Sequence, residues 1–327
     1  MQKVLVIGGT GLTGKEIVRA LEEDGGFDLT CLIRPSSAQK PSVKSLAARG
    51  IALIPCDLEN DPIPTIAHVL KGYDTILSAI GFQSKQTELK LVDAIALAGT
   101  KRFVPCSWSI PCPPGNIMLL RDEKEAVLQR IWHHHIPYTI VDVGYWYQIS
   151  VPRVPSGKVD YIMVLPANER FGDGELENLL TDKRDIGGFV ARVLKDPRTV
   201  NQRVVCWGER LSQNEVFKVV EEVSGEKTPH EALVAKRDQA REAFKADPGQ
   251  ILNRIMQSTF EYNVSKYVRG DNTLGNAKYL GYLDARELYP DFEPLSFKDF
   301  VKQVLDGKGE KLDLGDIDPD VAKTMKE

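Results

Sequence analysis

The fold is decided near the start of the chain by Val4-Leu5-Val6-Ile7-Gly8-Gly9-Thr10-Gly11-Leu12-Thr13-Gly14, an apolar run followed at once by a glycine-rich loop. The glycines are spaced G-x-x-G-x-x-G, and an amphipathic pattern begins directly behind them. Such a loop makes a tight turn, lets the backbone approach a pyrophosphate and packs the helix close to the strand. The N–H groups and positive dipole end of that helix attract phosphates. The stretch therefore predicts a dinucleotide-binding turn formed by Gly8, Gly9, Thr10, Gly11, Leu12, Thr13 and Gly14.

Short apolar runs alternate with amphipathic stretches through the first half of the chain. Runs of this kind are typical of parallel strands that are buried on both faces. Alternation of strand and helix predicts right-handed crossovers and a doubly wound Rossmann sheet in an α/β protein. The predicted strands are Lys3–Ile7, Leu29–Ile33, Ile51–Pro55, Thr75–Ile80, Arg102–Pro105 and Tyr138–Val143, and the predicted helices are Leu12–Glu23, Ser84–Ala98 and Leu119–His133.

This alternation ends after Val143, and the remaining pattern predicts a smaller, mostly helical C-terminal lobe. Residues 1–150 are expected to form the Rossmann domain and residues 151–327 the substrate-binding lobe, with part of 185–207 as a candidate to return to the main sheet. The expected elements beyond residue 151 are helices at Asp185–Leu194, Gln213–Val223 and near Glu231–Ala246, and a strand at Arg203–Trp207.

Charge and composition narrow the class of protein. The 42 Lys and Arg residues are outnumbered by 46 Asp and Glu residues, and the resulting net charge of -4 argues against a nucleic-acid binder. The chain lacks a signal-peptide pattern at its start and a long apolar run, which predicts no membrane association and a cytoplasmic location. Five widely spaced cysteines indicate reduced thiols.

No metal site is expected from His133-His134-His135, although three histidines in a row invite that interpretation. Consecutive side chains on a helix point in different directions, so they do not converge on one ion. Histidines at a helix C-terminus also suit the negative end of the helix dipole.

The residue after the second predicted strand indicates which dinucleotide is bound. An acidic residue there would bind the ribose hydroxyls of NAD, but this chain has Arg34, twenty positions after Gly14. A guanidinium suits the 2′-phosphate of NADP(H) through forked hydrogen bonds, so NADPH is the predicted cofactor. Further candidates for cofactor binding follow other strands or lie near Arg34, and they are Lys44, Asp57, Ala79, Ile80 and Gly81.

Several aromatic residues follow the predicted strands at the edge where such sheets bind ligands. They can line a pocket for a flat aromatic substrate or pack in the core, and the sequence leaves both alternatives open. These residues are Phe82, Trp108, Tyr145, Trp146 and Tyr147.

Tyr262 and Lys266 spell Y-x-x-x-K, the catalytic dyad of typical short-chain dehydrogenases. In those enzymes the dyad lies on a helix of the Rossmann domain, whereas here it falls in the expected second lobe. We therefore interpret it as part of a structural helix.

The residues together resemble the NmrA-like branch of the atypical short-chain dehydrogenases, which includes isoflavone reductases and phenylcoumaran benzylic ether reductases. The resemblance covers about the first 225 residues, and Val143-Gly144-Tyr145-Trp146-Tyr147-Gln148 is most similar to fungal isoflavone reductase-like members. It implies an NADPH-binding Rossmann domain and a C-terminal lobe that closes a substrate pocket. It rests on Gly8-Gly9-Thr10-Gly11, Arg34, Lys101-Arg102-Phe103-Val104-Pro105, Lys124, Ile136-Pro137-Tyr138-Thr139, Asp185-Ile186-Gly187 and Asp196-Pro197-Arg198-Thr199.

The resemblance also implies a catalytic role for Lys124. Reductases of this family carry a catalytic lysine twelve positions before the Ile-Pro-Tyr-Thr phrase, and Lys124 holds that position. A lysine can donate the proton that follows hydride transfer, or stabilise a developing oxyanion. Taken without the family, Lys124 is one more charge on a solvated helix face.

The loop after the fifth strand departs from the family. Plant reductases have Pro-Ser-Glu-Phe-Gly there, whereas this chain has Pro105-Cys106-Ser107-Trp108-Ser109. This change puts the plant substrates in doubt.

The resemblance implies an NADPH-dependent reductase that acts on a C=O, C=C or C=N bond of an aromatic small molecule in secondary metabolism, with Lys124 as the proton donor. The alternative is a non-catalytic, NADP-sensing regulator of the NmrA type. The oligomeric state stays open, with a homodimer as one candidate.

Overall fold

The structure is a computed structural model that describes residues 1–81, 84–163, 169–228, 231–232, 246 and 251–312. Its strands are β1 Gln2–Ile7, β2 Phe27–Ile33, β3 Ala52–Pro55, β4 Thr75–Ser78, β5 Arg102–Val104, β6 Thr139–Asp142, β7 Tyr145–Trp146, β8 Glu169–Arg170, β9 Glu177–Thr181, β10 Gln202–Val205, β11 Glu209–Ser212, β12 Glu231–Ala232 and β13 Tyr282–Asp284. Its α-helices are α1 Gly14–Asp24, α2 Pro41–Ala48, α3 Ile63–Leu70, α4 Lys85–Ala98, α5 Leu119–His133, α6 Ile186–Lys195, α7 Gln213–Ser224, α8 Ile251–Val264, α9 Leu274–Tyr279, α10 Ala285–Leu288 and α11 Phe297–Leu305.

The chain divides into two compact units that interleave along the sequence. Unit 1 consists of Met1–Trp108, Asp122–Asp142 and Ile186–Val204. Unit 2 consists of Ser109–Arg121, Val143–Asp185 and Val205–Glu327. The chain therefore passes between the units several times, whereas the sequence analysis placed a boundary near residue 150 and named part of 185–207 as a candidate to return.

Unit 1 contains the parallel sheet predicted from the sequence. Five strands run in the order β3-β2-β1-β4-β5, and every neighbouring pair is parallel. This order confirms the Rossmann topology, because the strand order reverses at β1 and β4. One face of the sheet packs against α3, α4 and α5 through fully buried residues that include Leu5, Ile76 and Phe103.

The segment Ile186–Val204 completes unit 1 from late in the chain. Helix α6 packs against α1, and a β-carbon on Gly187 would lie 2.2 Å from the carbonyl oxygen of Glu16. Only glycine permits two helices to approach this closely. Strand β10 then lies beside β6.

Unit 2 has its own core, in which helices pack beside a three-stranded sheet of order β11-β9-β7 that the sequence did not predict. Tyr147 is fully buried there, with its ring centroid 5.1 Å from that of Phe297 and 5.6 Å from that of Phe300. The helix expected near Glu231–Ala246 begins instead as strand β12, and most of that stretch lies outside the described residues. No helix in the described part of the chain is long and apolar enough to cross a bilayer.

Candidate active site

The glycine loop after β1 is packed so tightly that side chains are excluded. Gly8 has a φ of +79°, and a β-carbon there would lie 2.4 Å from the carbonyl oxygen of Ala79. A β-carbon on Gly14 would lie 2.0 Å from the carbonyl oxygen of Gly8. The Gly11 N–H donates to that same Gly8 oxygen at 2.9 Å, which closes the turn. Gly8 and Gly14 are thus required by backbone-to-backbone contact.

Helix α1 begins directly after the glycine loop. Thr13 makes no side-chain hydrogen bond to its first turn, and the Lys15 N–H donates to the Gly11 carbonyl oxygen at 3.0 Å. Gly9 is buried, and a β-carbon on it would lie 2.9 Å from the Cys31 sulfur. Thr10 and Gly11 are exposed and Leu12 is half-buried. This arrangement leaves the outer side of the loop accessible to an anion.

The residues predicted to select the cofactor occupy different environments. Arg34 follows β2 and is exposed, and within the described residues its guanidinium makes no hydrogen bond or ion pair. Lys44 is exposed on α2. Asp57 instead caps its own turn, because its carboxylate accepts the Asn60 side chain at 2.9 Å and the backbone N–H groups of Glu59 and Asn60 at 3.1 Å. Arg34 and Lys44 are therefore the cations of this group that are available to a ligand.

Two loops at the carboxyl ends of β4 and β5 join the glycine loop to the predicted catalytic lysine. The Ala79 N–H donates to the Ile7 carbonyl oxygen at 2.8 Å, which fixes Ala79–Gly81 beside Gly8. The Cys106 thiol donates to the Ile80 carbonyl oxygen at 3.2 Å. The residues after β1, β4 and β5 are thus connected by direct contacts.

Lys124 reaches this edge of the sheet from helix α5. Its Nζ donates to the Cys106 carbonyl oxygen at 2.7 Å, and the residue is half-buried. The helix spans Leu119–His133 as the sequence predicted. Lys124 is therefore held against the loop after β5 by its own hydrogen bond, and does not extend freely into solvent.

Glu88 on α4 holds the other side of the same peptide. Its carboxylate accepts the Cys106 N–H at 2.6 Å, and the residue is buried. Burial raises the pKa of Glu88, an effect opposed by the Cys106 hydrogen bond and by the charge of Lys124. Burial also raises the pKa of the Cys106 thiol to about 12, so the thiol stays protonated. Glu88 and Lys124 together fix the orientation of residue 106.

The free energy of unfolding of Glu88→Gln, minus that of the wild type, should increase as pH rises from 4 to 8. Because the pKa of Glu88 is raised in the folded chain, its favourable contribution is complete below the unfolded value of 4.5 and is lost as pH rises through the folded value. Urea unfolding at several pH values measures this difference.

Glu221→Gln is the matched control, since the Lys227 side chain lowers the pKa of Glu221 to about 2. The free energy of unfolding of Glu221→Gln, minus that of the wild type, should instead decrease as pH rises. The stabilising contribution of Glu221 is present above pH 4.5 and is lost as pH falls. If this difference changes with pH in the same direction for both variants, the raised pKa of Glu88 is contradicted.

Of the aromatic residues predicted to contact substrate, one lies in unit 1 and three lie in unit 2. Trp108 belongs to unit 1, where it adopts a φ of +36° and its indole N–H donates to the Ser78 carbonyl oxygen at 2.9 Å. Tyr147 is a core residue of unit 2, whose hydroxyl donates to the Leu295 carbonyl oxygen. Tyr145 lines a cavity in unit 2, and Trp146 is half-buried. Phe82 lies outside the described residues.

The histidine run and the Y-x-x-x-K pattern each contact other residues in the structure. His134 bonds Asp93 at 2.8 Å, and the part of the chain that is described holds no cluster of His, Cys, Asp or Glu able to bind a metal. The Tyr262 hydroxyl lies 2.6 Å from the Ser109 hydroxyl, while the Lys266 amine lies over the Tyr145 ring. Tyr262 and Lys266 therefore have different partners.

The sequence analysis missed Glu88 as part of this arrangement. Glu88 lies on the buried face of α4 together with Leu91 and Val92. A carboxylate on a helix is solvent-exposed by default, so the pattern alone gave no reason to place it inside.

Comparison with known proteins identifies the family. The model of the NmrA-like family matches residues 1–301. Asnovolin J 5′,6′-dehydrogenase from Aspergillus novofumigatus is 36% identical over 314 residues, covering 93% of this chain and 95% of that protein. The probable pinoresinol-lariciresinol reductase 3 of Arabidopsis thaliana is 26% identical and covers 93% and 97%, respectively.

The fold also matches a solved structure. The complex of leucoanthocyanidin reductase with NADPH from Vitis vinifera has a TM-score of 0.75 at 22% identity, covering 93% of this chain and 99% of that one. Together with the sheet order and the match over residues 1–301, these similarities show that the chain belongs to the NmrA-like family and is isoflavone reductase-like.

Proposed function

We propose that the protein is an NADPH-dependent oxidoreductase that acts on an aromatic small molecule in secondary metabolism. One observation carries the proposal: Lys124 is held at the Cys106 carbonyl oxygen, and Cys106 in turn contacts Ile80 beside the glycine loop. This position of Lys124, at the edge of the sheet where a Rossmann fold binds its dinucleotide, supports a role as proton donor.

The residues around the loop fit the cofactor. β-carbons on Gly8 and Gly14 would meet backbone atoms, which gives the loop its tight turn, and the exposed Thr10 and Gly11 before α1 suit a pyrophosphate. The exposed guanidinium of Arg34 suits the 2′-phosphate. When bound, NADPH supplies a hydride for an activated C=O, C=C or C=N bond.

Lys124 provides the acid chemistry that hydride transfer requires. As an ammonium it stabilises the negative charge that develops on the substrate, and it donates the proton that completes reduction. Glu88 keeps the Cys106 peptide in place, and so preserves the position from which Lys124 acts. In the opposite direction the same side chain, as a neutral amine, accepts the proton of a substrate that is being dehydrogenated.

The direction of turnover has support from a relative. The protein that is 36% identical over 314 residues is named a dehydrogenase, whereas several more distant relatives are named reductases. Dehydrogenation by NADP⁺ is therefore the second candidate for the physiological direction, and it uses the same residues.

Arg34→Ala should weaken NADPH binding by about 10- to 100-fold and leave NADH binding unchanged, because hydrogen bonds to a charged group contribute about 1.5–3 kcal/mol. Titration calorimetry with both dinucleotides measures the selectivity. Arg210→Ala, an exposed arginine of unit 2, is the matched control and should bind both dinucleotides as the wild type does. An equal loss of NADPH and NADH affinity in Arg34→Ala would contradict a role for this side chain at the 2′-phosphate.

Turnover itself is tested with a panel of aromatic ketones, enones and imines with NADPH, and with their reduced counterparts and NADP⁺. Oxidation or reduction of the dinucleotide, followed by the absorbance of NADPH, is the expected result for at least one compound. Tight NADPH binding with no turnover on either panel would favour the regulator.

A further inference from the structure

Unit 2 contains a partly open cavity that the proposed hydride chemistry does not use. About 30 Å³ of it is accessible to the centre of a water molecule, and the space free of atoms reaches about 430 Å³ when the open solvent at its mouth is included. Its walls combine aromatic rings with a few polar side chains. The lining residues are Tyr145, Ile149, Ser150, Glu169, Phe171, Gln213, Val216, Phe217, Thr259, Asn263, Lys266 and Tyr267.

Lys266 is the only lysine or arginine among these lining residues, and it is almost completely buried at 1% exposure. Its Nζ lies 3.0 Å from the ring centroid of Tyr145 and 4.5 Å from that of Tyr267. The residue belongs to a π-helical segment, Ser265–Arg269, that directly follows α8. Such segments are rare and occur frequently at functional sites.

No carboxylate in the described part of the chain forms an ion pair with the Lys266 amine, although Glu169 lines the same cavity. Among the described residues the amine forms no ion pair and no hydrogen bond, and its only polar or charged interactions are with the two tyrosine rings. Burial therefore lowers the pKa of Lys266 well below its ordinary value. Asn263, which lines the same cavity, likewise has no hydrogen-bond partner for its side chain within the described residues.

A neutral amine in an aromatic cavity has a characteristic reactivity. A lysine that has lost its proton is a nucleophile toward carbonyl carbon, and desolvation in an apolar pocket is a standard means of activating it. Burial also raises the pKa of Tyr145 and Tyr267, so both hydroxyls stay protonated and can donate. The cavity thus combines a nucleophile with proton donors.

We propose that the Lys266 amine forms an imine with a small aldehyde or ketone bound in this cavity. The nitrogen lone pair forms the new C–N bond as the C=O π bond breaks toward oxygen. The two amine hydrogens then leave with the carbonyl oxygen as water, and C=N replaces C=O without oxidation or reduction. The site therefore binds carbonyl compounds covalently and reversibly, and needs no dinucleotide to do so.

Reductive trapping tests the proposal on the full-length protein without added cofactor. Propanal and benzaldehyde are the probes, sodium cyanoborohydride reduces any imine, and peptide mapping by mass spectrometry measures each lysine. Lys308, whose side chain is 73% exposed, is the internal reference in the same unit. Because an ordinary lysine with a pKa of about 10.4 is almost wholly protonated at pH 7, Lys266 should be labelled at least about tenfold faster than Lys308.

Unfolding in urea should remove the faster labelling of Lys266, because both lysine side chains are then exposed to water. Lys266→Met should lose the fast labelling, whereas the control Lys308→Met should retain it. The ratio measured within the wild type remains decisive if Lys266→Met does not fold. Labelling of Lys266 in the folded wild type that is no faster than that of Lys308, with either probe, would overturn the proposal.

Stability gives a second measurement of the same amine. If Lys266 is neutral in the folded chain and charged in the unfolded chain, wild-type folding is weakened as pH falls from about 10.4 toward the folded pKa. Relative to Lys266→Met, the folding equilibrium constant should then change about tenfold per pH unit within that window. A pH-independent ratio would show that the buried amine is charged, and would also overturn the proposal.

Discussion

Lys124→Met should lower kcat by about 10²- to 10⁴-fold, the usual contribution of a positioned general acid or base, without weakening NADPH binding. Methionine preserves the length and apolar stem of the side chain but removes the group that bonds the Cys106 carbonyl oxygen. The loss should appear in kcat because the charge and the proton are required only as the hydride moves. Steady-state kinetics, combined with calorimetry for NADPH, separates the two effects.

Lys101→Met is the matched control for this change. Lys101 is a lysine of unit 1 whose side chain is 79% exposed and whose Nζ contacts Asp74 at 2.7 Å. Its variant should retain wild-type kcat, since surface ion pairs of this kind contribute little. An undiminished rate for Lys124→Met would remove the residue from the mechanism while leaving the NADPH site intact.

Gly14→Ala should destabilise the protein by about 1–3 kcal/mol or more, the range for overpacking a close contact, and should weaken NADPH binding at least tenfold. The added β-carbon would lie 2.0 Å from the Gly8 carbonyl oxygen, and no flexible side chain is present there to move aside. The loop must shift instead, and the start of α1 shifts with it. Thermal unfolding and calorimetry on the same preparation measure both losses.

Gly275→Ala is the control for Gly14→Ala. It shows whether the losses of stability and NADPH affinity are specific to the glycine loop or follow from replacing any glycine. Gly275 lies in α9, and a β-carbon there would meet no atom within 4 Å. Alanine is the better helix former, so this variant should be as stable as the wild type or slightly more so. Wild-type melting temperature and NADPH affinity in Gly14→Ala would mean that the loop is not constrained as described.

The long, strongly patterned elements of unit 1 could be predicted from the sequence. Helix α5 spans Leu119–His133 as predicted, and β1 differs by one residue. The short helices α2 and α3, of eight residues each, were missed. Two turns of helix display too little periodicity, and the prolines at their N-termini are equally typical of turns.

The glycine loop was predictable because strand, loop and helix adjoin in sequence. The environment of Lys266 was not, because the pattern around it indicates only a helix, while its burial depends on Tyr145 from a different part of unit 2. The same reason hid Glu88, whose partner Cys106 follows the next strand. Local periodicity identifies the element on which a side chain lies, and only the tertiary structure identifies what it meets.

The late return of α6 to unit 1 has a consequence for synthesis and for truncation. Unit 1 includes Ile186–Val204, so it is complete only after the ribosome has synthesised the chain past Val204. A recombinant fragment that stops at residue 150 would leave α1 without the helix that packs against it near Glu16 and Ala20. Apolar surface on α1 would then face water, and the fragment would tend to aggregate during expression.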